Sequence, residues 1–441
     1  MMNKKGIMIV GLIAVVAIGL LLFTTGDQSA EQKYEGTTIR VLAWADAHTA
    51  AVKKMIPEFE EETGIKVVFD DLPTSSLSEK AAMNLTGKTG TYDLVAIDEP
   101  FVPKFAKYLL PYEEWPEPNV AQGKVKLDNL AGPAVQGSTW QDTVVGLPIN
   151  GNVYMMIYRK DLFNDSANKK AYKEKYGYEL QPPKNLDQLK DVSEFFYQPD
   201  NELYGWGPFT TVSEGLTVEA MWVLRSFGAE ILTDDLKPAL DKGKAVEAFE
   251  YYKELLKFSP PGKLAYGHPE RIQAMNTKNL TIMQQWPAII PSHEDEEESL
   301  VAGKVGYMKN PAGPAGPAAV TGVWALGMPE VSEKKEAAAE FAYWWASKEA
   351  GQKLVEKGMS PVRKDLLKDE DLQEKYPWYQ AQLENFEIGV NRPRFPEYSE
   401  LSEIIRKYFA KAINEEMTSE EAVDAMDIEI KELLAENGYI K

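Results

Sequence analysis

Hydrophobic and polar positions switch between two periods along this chain. Thr38 to Trp44 is a short apolar run of strand type. From Ala51 to Thr63 the residues Val52, Met55, Ile56 and Phe59 share one helical face, and Gly64 follows as a C-terminal cap. Pro57 lies inside that pattern and predicts a kink. Lys66 to Asp70 reads as a second strand, Ser76 to Leu85 as a helix and Tyr92 to Ile97 as a third strand. This alternation predicts a parallel sheet with helices on its faces. In such sheets ligands sit beyond the carboxyl ends of the strands. Trp44, Asp46, Asp70, Asp71, Asp98 and Glu99 fall at or just past those ends. An acid there can cap the next helix or face solvent instead. Asp98 is the strongest ligand candidate of the group, because it opens the short loop before Pro100.

Val144 to Tyr158 is a long apolar segment interrupted by Asn150, Gly151 and Asn152. Polar groups inside a buried strand are costly unless paired. The pattern fits a chain crossing between domains at a cleft. Further on, Pro182 to Tyr197 is a Pro-Pro turn and an amphipathic helix, and Leu216–Phe227 and Ala245–Phe258 are helices. Leu280–Trp286 is a strand ending on Trp, Ser292–Glu298 a solvated acidic loop and Lys304–Met308 a strand. A Pro/Gly loop, Asn310–Ala318, precedes the strand Val320–Gly327. Glu336–Trp345 is an amphipathic helix, and the C-terminal third is mainly helical. No internal repeat is present.

The 441 residues carry a net charge of -20, which argues against nucleic acid or an anionic membrane as main partners. No cysteine is present, so disulfides, thiolate metal sites and a lipidation cysteine are excluded together. His48, His268 and His293 are far apart in sequence, which supports neither a metal site nor a histidine triad. No catalytic residue, metal or cofactor is expected.

Lys4 and Lys5 precede an uninterrupted apolar run, Ile7 to Phe23, which as a helix spans about 26 Å. A cleaved secretory signal, a retained anchor and a pilin-like signal cut after Gly6 all fit it. The retained anchor is preferred, because no clear A-x-A triplet follows. All three export the rest of the chain. Asn84-Leu85-Thr86, Asn164-Asp165-Ser166 and Asn279-Leu280-Thr281 are sequons. Removing the anchor and its polar tether leaves roughly 405 residues, enough for two domains.

Five stretches together carry a family resemblance: Ile56–Phe69 (IPEFEEETGIKVVF), Tyr92–Trp115, Val144–Phe163 (VVGLPINGNVYMMIYRKDLF), Pro182–Leu189 (PPKNLDQL) and Ala339–Leu367. In order and spacing the chain from Thr37 onward resembles the extracellular sugar-binding proteins of ABC importers, the maltose-binding-protein-like group. Tyr112 stands where the family has Leu after Pro111, and Asn185-Leu186 replace its usual Thr-Trp. The resemblance implies an α/β, two-lobed periplasmic-binding-protein-like (type II) fold with a ligand cleft between lobes and several hinge crossovers. Residues 1–36 would be signal or anchor plus tether, 37–147 and 311–350 lobe I, and 148–310 and 351–441 lobe II. The crossovers would lie near Leu147, near Pro311 and after Ala350.

A sugar offers weakly apolar C–H faces and a hydroxyl rim, so its site needs flat aromatic rings beside carboxylates, amides or guanidinium groups. The resemblance places a stacking Trp at Trp286, a ligand acid at Asp98 and polar crossover contacts at Asn150 and Asn152, with Asn in place of the usual Asp. It adds Gly322 and Trp324 on the return strand and an Arg at Arg363. Trp44 and Asp46, at the first strand's end, and Trp206, after a Gly-rich bend, are further candidates. The implied function is an extracytoplasmic binding protein, not an enzyme, monomeric and tethered to the membrane only through its N-terminal segment. It would deliver a small carbohydrate to ABC permease subunits by lobe closure. The rival ligands are a polyol, a polyamine, a peptide or a ferric ion. A hydrolase using Asp70, Asp98 and Glu99 and a purely structural surface protein are remoter alternatives. The absence of a Walker loop and the single apolar span exclude the importer's ATPase and channel subunits.

Overall fold

The computed structural model describes residues 34–120 and 123–440. The apolar run Ile7–Phe23, and with it the signal, anchor and pilin-like readings, lies outside these residues. No helix among the described residues is long and apolar enough to cross a membrane.

Nine strands of the described residues build two sheets. Numbered in chain order, they are β1 Thr38–Trp44, β2 Lys66–Leu72, β3 Leu94–Asp98, β4 Leu147–Asn150, β5 Met155–Arg159, β6 Tyr204–Gly207, β7 Leu280–Gln285, β8 Val305–Met308 and β9 Trp324–Gly327. The first sheet has the order β2-β1-β3-β9-β4. Its β1 runs parallel to β2 and β3, as the alternation of elements predicted, whereas β9 returns antiparallel between β3 and β4. The second sheet has the order β8-β5-β7-β6, with only β6 and β7 parallel. Ile39, Val41, Leu42 and Ala43 of β1 are fully buried. A near-continuous apolar strand of this kind is what a sheet covered on both faces requires.

The chain changes sheet three times. The first passage, residues 151–154, begins only after β4, which still pairs with β9. Gly151 is needed there: a Cβ would stand 2.7 Å from the Pro361 carbonyl oxygen. Its own carbonyl accepts from Ser360 Oγ at 2.5 Å and Gln382 Nε2 at 2.7 Å. The second passage runs from Met308 to Trp324 through a tight hairpin, Ala312–Gly313 against Gly316–Pro317. The third separates the helices Lys335–Trp345 and Lys348–Val355, packed in the core of the first sheet, from the helix Trp378–Phe386, packed on β5 and β8. The passages bond to one another. Tyr154 N donates to Val320 O at 2.8 Å, and Ala319–Val320 pairs with Gly389–Val390.

One core fills the first sheet's surroundings and continues over one face of the second through Met155, Ile157, Met283 and Val305. The other face of the second sheet is covered by the helices Glu214–Phe227, Lys242–Leu256, Tyr398–Ile413 and Ser419–Glu436.

Two expectations need correction. The predicted kinked helix is two helices, Ala47–Lys53 and Ile56–Thr63, with Pro57 in the first turn of the second, where a missing N–H costs nothing. The segment Ser292–Glu298 is not simply a solvated loop. His293 is fully buried within the helical turn Pro291–Glu294, and its ring meets Asn276 at 2.6 Å and Gln285 at 3.3 Å.

Close approach also fixes Gly205 on β6, where a Cβ would lie 1.8 Å from the Ser193 carbonyl oxygen. Gly205→Ala is therefore expected to destabilise the fold by about 1–3 kcal/mol, read as a lower Tm in thermal unfolding. An unchanged Tm would contradict this packing.

Candidate functional site

The carboxyl ends of β1 and β3 meet the start of β9 and the end of β4 at one edge of the first sheet. Register places Trp324 of β9 between Asp98 of β3 and Asn150 of β4. Trp324 is half-buried and stacks on Trp44, with ring centroids 4.6 Å apart and planes inclined by 22°. Trp44 stacks in turn on His48 at 5.9 Å, and both lie near Trp345. Burial lowers the His48 pKa, so this imidazole packs as a neutral ring.

Trp286 faces the same region from the second sheet, one residue past β7. Its indole covers Gly322, where a Cβ would stand 2.7 Å from the ring, and it lies 4.8 Å from the Tyr154 ring. Asn152 closes this corner. Its backbone carbonyl accepts from Gly322 N at 2.9 Å, and its side-chain oxygen accepts from Ala288 N at 3.2 Å. The helix Ala47–Lys53 touches the turn Pro287–Ile289, so elements of the two sheets meet directly here.

An acidic network joins the two sides. The Arg392 guanidinium, 3% exposed, donates to Asp98, and its Nη1 lies 3.1 Å from Glu214 Oε1 on the helix Glu214–Phe227. Glu99 accepts from Arg392 N at 3.1 Å and from Thr321 Oγ1 at 2.9 and 2.8 Å. Glu214 also accepts from Tyr398 OH and from Ser402 Oγ, the latter at 2.6 Å. Burial pushes the Asp98 carboxyl up to about 6; Arg392 opposes the shift, and Glu99 and Glu214 add to it. Asn150 is 1% exposed, and its amide has no hydrogen-bond partner among the described residues. A buried amide without partners is a group that a bound polar solute could satisfy.

Trp44, Asp98, Asn150, Asn152, Trp286, Gly322 and Trp324 are thus distributed around these strand ends and the adjoining passages. Three candidates have other surroundings. Asp46 is exposed and caps the helix Ala47–Lys53, accepting from Thr49 N at 2.9 Å. Trp206 is fully buried against Trp222, with ring centroids 6.0 Å apart, inside the helix-covered core of the second sheet. Arg363 holds Asp365 through two bonds of 2.9 and 3.0 Å and points a third nitrogen at Ala346 O. Asp70 bonds Arg40 and Tyr92 rather than joining Asp98.

With this geometry in place, the profile of one family, the bacterial extracellular solute-binding proteins, matches residues 45–352. The chain belongs to that family. The binding protein is 24% identical over 450 residues to a probable amino-acid ABC transporter periplasmic-binding protein of Sinorhizobium fredii, covering 99% of this chain and 100% of that one. Its fold is similar to an ABC transporter solute-binding protein of Agrobacterium radiobacter K84 in complex with ribitol: TM-score 0.78 and 25% identity, over 91% of this chain and 99% of the other. The maltose-bound MalE3 of T. maritima is similar at TM-score 0.76 and 25% identity, over 90% and 100%. The two-lobed α/β fold expected from the sequence is the fold of this binding protein.

Arg392, Glu214, Thr321 and Tyr398 were not singled out from the sequence. Arg392 had one visible signal. It belongs to a proline-punctuated dibasic stretch, Asn391-Arg392-Pro393-Arg394, in a strongly acidic chain. Nothing in spacing links it to Asp98, 294 positions away.

Two outcomes follow for the binding protein. Gly322→Ala is expected to displace the Trp286 ring, shifting tryptophan emission while circular dichroism stays unchanged. For Asp98, the folded pKa of about 6 exceeds the ordinary 3.8, so the folded state holds this proton more tightly than the unfolded chain. Its contribution to stability is therefore largest at low pH and declines as pH rises through this window. The difference in unfolding free energy between wild type and Asp98→Asn should fall by up to about 1.4 kcal/mol per pH unit there. A flat difference in denaturant titrations would show that Asp98 titrates normally.

Proposed function

We propose that this protein is the extracytoplasmic binding component of an ABC importer and that its ligand is a small polyhydroxylated solute, a mono- or oligosaccharide or a polyol. The observation that carries this reading is the combination of aromatic faces and planar polar groups at one edge. Trp44, Trp324 and Trp286 supply faces for C–H surfaces, while Asp98, Asn150 and Asn152 supply hydroxyl partners. The ribitol and maltose complexes of similar folds support the ligand class.

In this reading one lobe is built on the five-stranded sheet and the other on the four-stranded sheet. Solute favours the closed arrangement by touching both. The solute is released to the permease unaltered; the protein is a carrier and not an enzyme. It acts as a monomer, held at the membrane by its N-terminal segment.

A second reading has its own support. Three carboxylates, Asp98, Glu99 and Glu214, surround the single Arg392 guanidinium, an excess of negative charge that suits an amine-bearing solute. The Sinorhizobium relative, named for amino-acid transport, points the same way.

Tryptophan fluorescence of the full-length protein, titrated with mono-, di- and oligosaccharides, polyols, amino acids and polyamines, separates the two. The expected result is a saturable change with one sugar or polyol, which is recovered intact. Trp286→Ala and Trp324→Ala should each weaken it by roughly tenfold or more. Saturation only by an amine-bearing solute would replace the carbohydrate reading, and conversion of the solute would overturn the carrier reading.

A further inference from the structure

A charge pair with no solvent contact lies behind Trp286. Glu219, on the helix Glu214–Phe227, and Arg271, on the helix His268–Asn276, are both fully buried, with Glu219 Oε1 and Arg271 Nη1 3.6 Å apart. A pair this dry returns less than its desolvation cost unless further hydrogen bonds complete it. Glu219 Oε2 and Arg271 Nε have no hydrogen-bond partner among the described residues, and the bonds that the pair does make converge on one place. Tyr154 OH donates to Glu219 Oε1 at 2.9 Å and accepts from Arg271 Nη1. Arg271 Nη2 donates to the carbonyl of Gln284 on β7, two residues before Trp286. The Tyr154 ring then lies against the Trp286 indole. The Tyr154 backbone is anchored too: its N–H donates to Val320 O and its carbonyl accepts from Asn310 Nδ2 at 2.9 Å. One buried pair therefore holds both the strand that carries Trp286 and the ring on which its indole leans.

We propose that Glu219, Arg271 and Tyr154 form a positioning unit that sets the tilt of the Trp286 indole, and through it the fit of the solute face. The second half rests on the reading of Trp286 as a ligand-facing ring; the first half does not. Apolar residues would serve packing equally well; what this pair adds is direction, since both charges are aimed at the one Tyr154 hydroxyl.

The unit carries its own pH signature. Burial pushes the Glu219 carboxyl up to about 7, against the pull of Arg271 and Tyr154. The neighbouring groups keep their charge state across neutral pH. Burial holds His268 down to about 4 and His293 down to about 3, and it raises the Tyr154 and Tyr252 hydroxyls well above their ordinary value. Protonation of Glu219 below neutral pH removes the negative partner of Arg271 and loosens Tyr154. Asp98 titrates separately, near 6.

The test uses full-length protein and two variants, Glu219→Gln and Tyr154→Phe. The Trp286 contribution to emission is isolated by subtracting the spectrum of the matching Trp286→Phe protein in each background. The expected result is a Trp286 emission that shifts in both variants and, in wild type, moves between pH 8 and pH 6 toward the Glu219→Gln spectrum. In Glu219→Gln that step near 7 is absent. With ribitol and maltose as probes, whichever binds wild type should bind Tyr154→Phe roughly threefold to tenfold more weakly, the range that one buried hydrogen bond controls. A lower Tm with an unchanged Trp286 spectrum in both variants would overturn the proposal, leaving the pair a purely structural element. Tyr154→Phe keeps the ring and so remains readable if Glu219→Gln fails to fold. A shifted Trp286 spectrum with neither probe binding wild type would uphold the positioning unit and count against the sugar or polyol reading instead.

Discussion

Arg392 holds together carboxylates that would otherwise repel one another across the junction of the two sheets. Asp98 and Glu99 reach it from the end of β3, and Glu214 from a helix over the second sheet. The guanidinium is nearly buried, so each of these contacts acts in a low dielectric, and removing the cation would strand three buried or half-buried acids. Its own position is set by the segment that follows the helix Trp378–Phe386, whose Gly389–Val390 pairs with the second passage at Ala319–Val320. The network therefore ties the strand ends of one sheet, the helices of the other and the connecting segments into one electrostatic unit.

Around that unit the aromatic residues divide into two groups with different surroundings. Trp44 and Trp324 form a stacked pair backed by the neutral ring of His48, a rigid wall with few rotamers to lose. Trp286 stands on the opposite sheet and is admitted by the missing side chain of Gly322. Under the proposed function, this wall on one sheet and ring on the other would let a solute favour the closed arrangement by touching both.

Strands of both sheets were legible in the sequence. Apolar runs at Thr38–Trp44 and Leu280–Trp286 correspond to β1 and β7 almost to the residue, and Gly64 caps its helix with a φ of 73°. Part of the candidate site was legible for the same reason: Asp98, Trp286 and Trp324 stand at strand ends, and strand ends can be read from local pattern. Trp206 and Arg363 show the limit. Each has the residue type a sugar site needs, yet Trp206 packs on Trp222 and Arg363 is engaged by Asp365. Local pattern cannot tell a ring aimed at a cleft from a ring aimed at a core, because both are flanked by the same apolar periodicity.

What the sequence determined by itself was most of the principal strands and helices, the parallel order of β1, β2 and β3, and the acidic, cysteine-free character of the chain. These follow from near neighbours and from composition. The tertiary structure alone decided that β9 inserts antiparallel between β3 and β4, that Arg392 meets Asp98, and that Glu219 and Arg271 converge on Tyr154. Those contacts join residues tens to hundreds of positions apart. Their energies depend on burial and on the geometry of charged groups, and both exist only once the chain has folded.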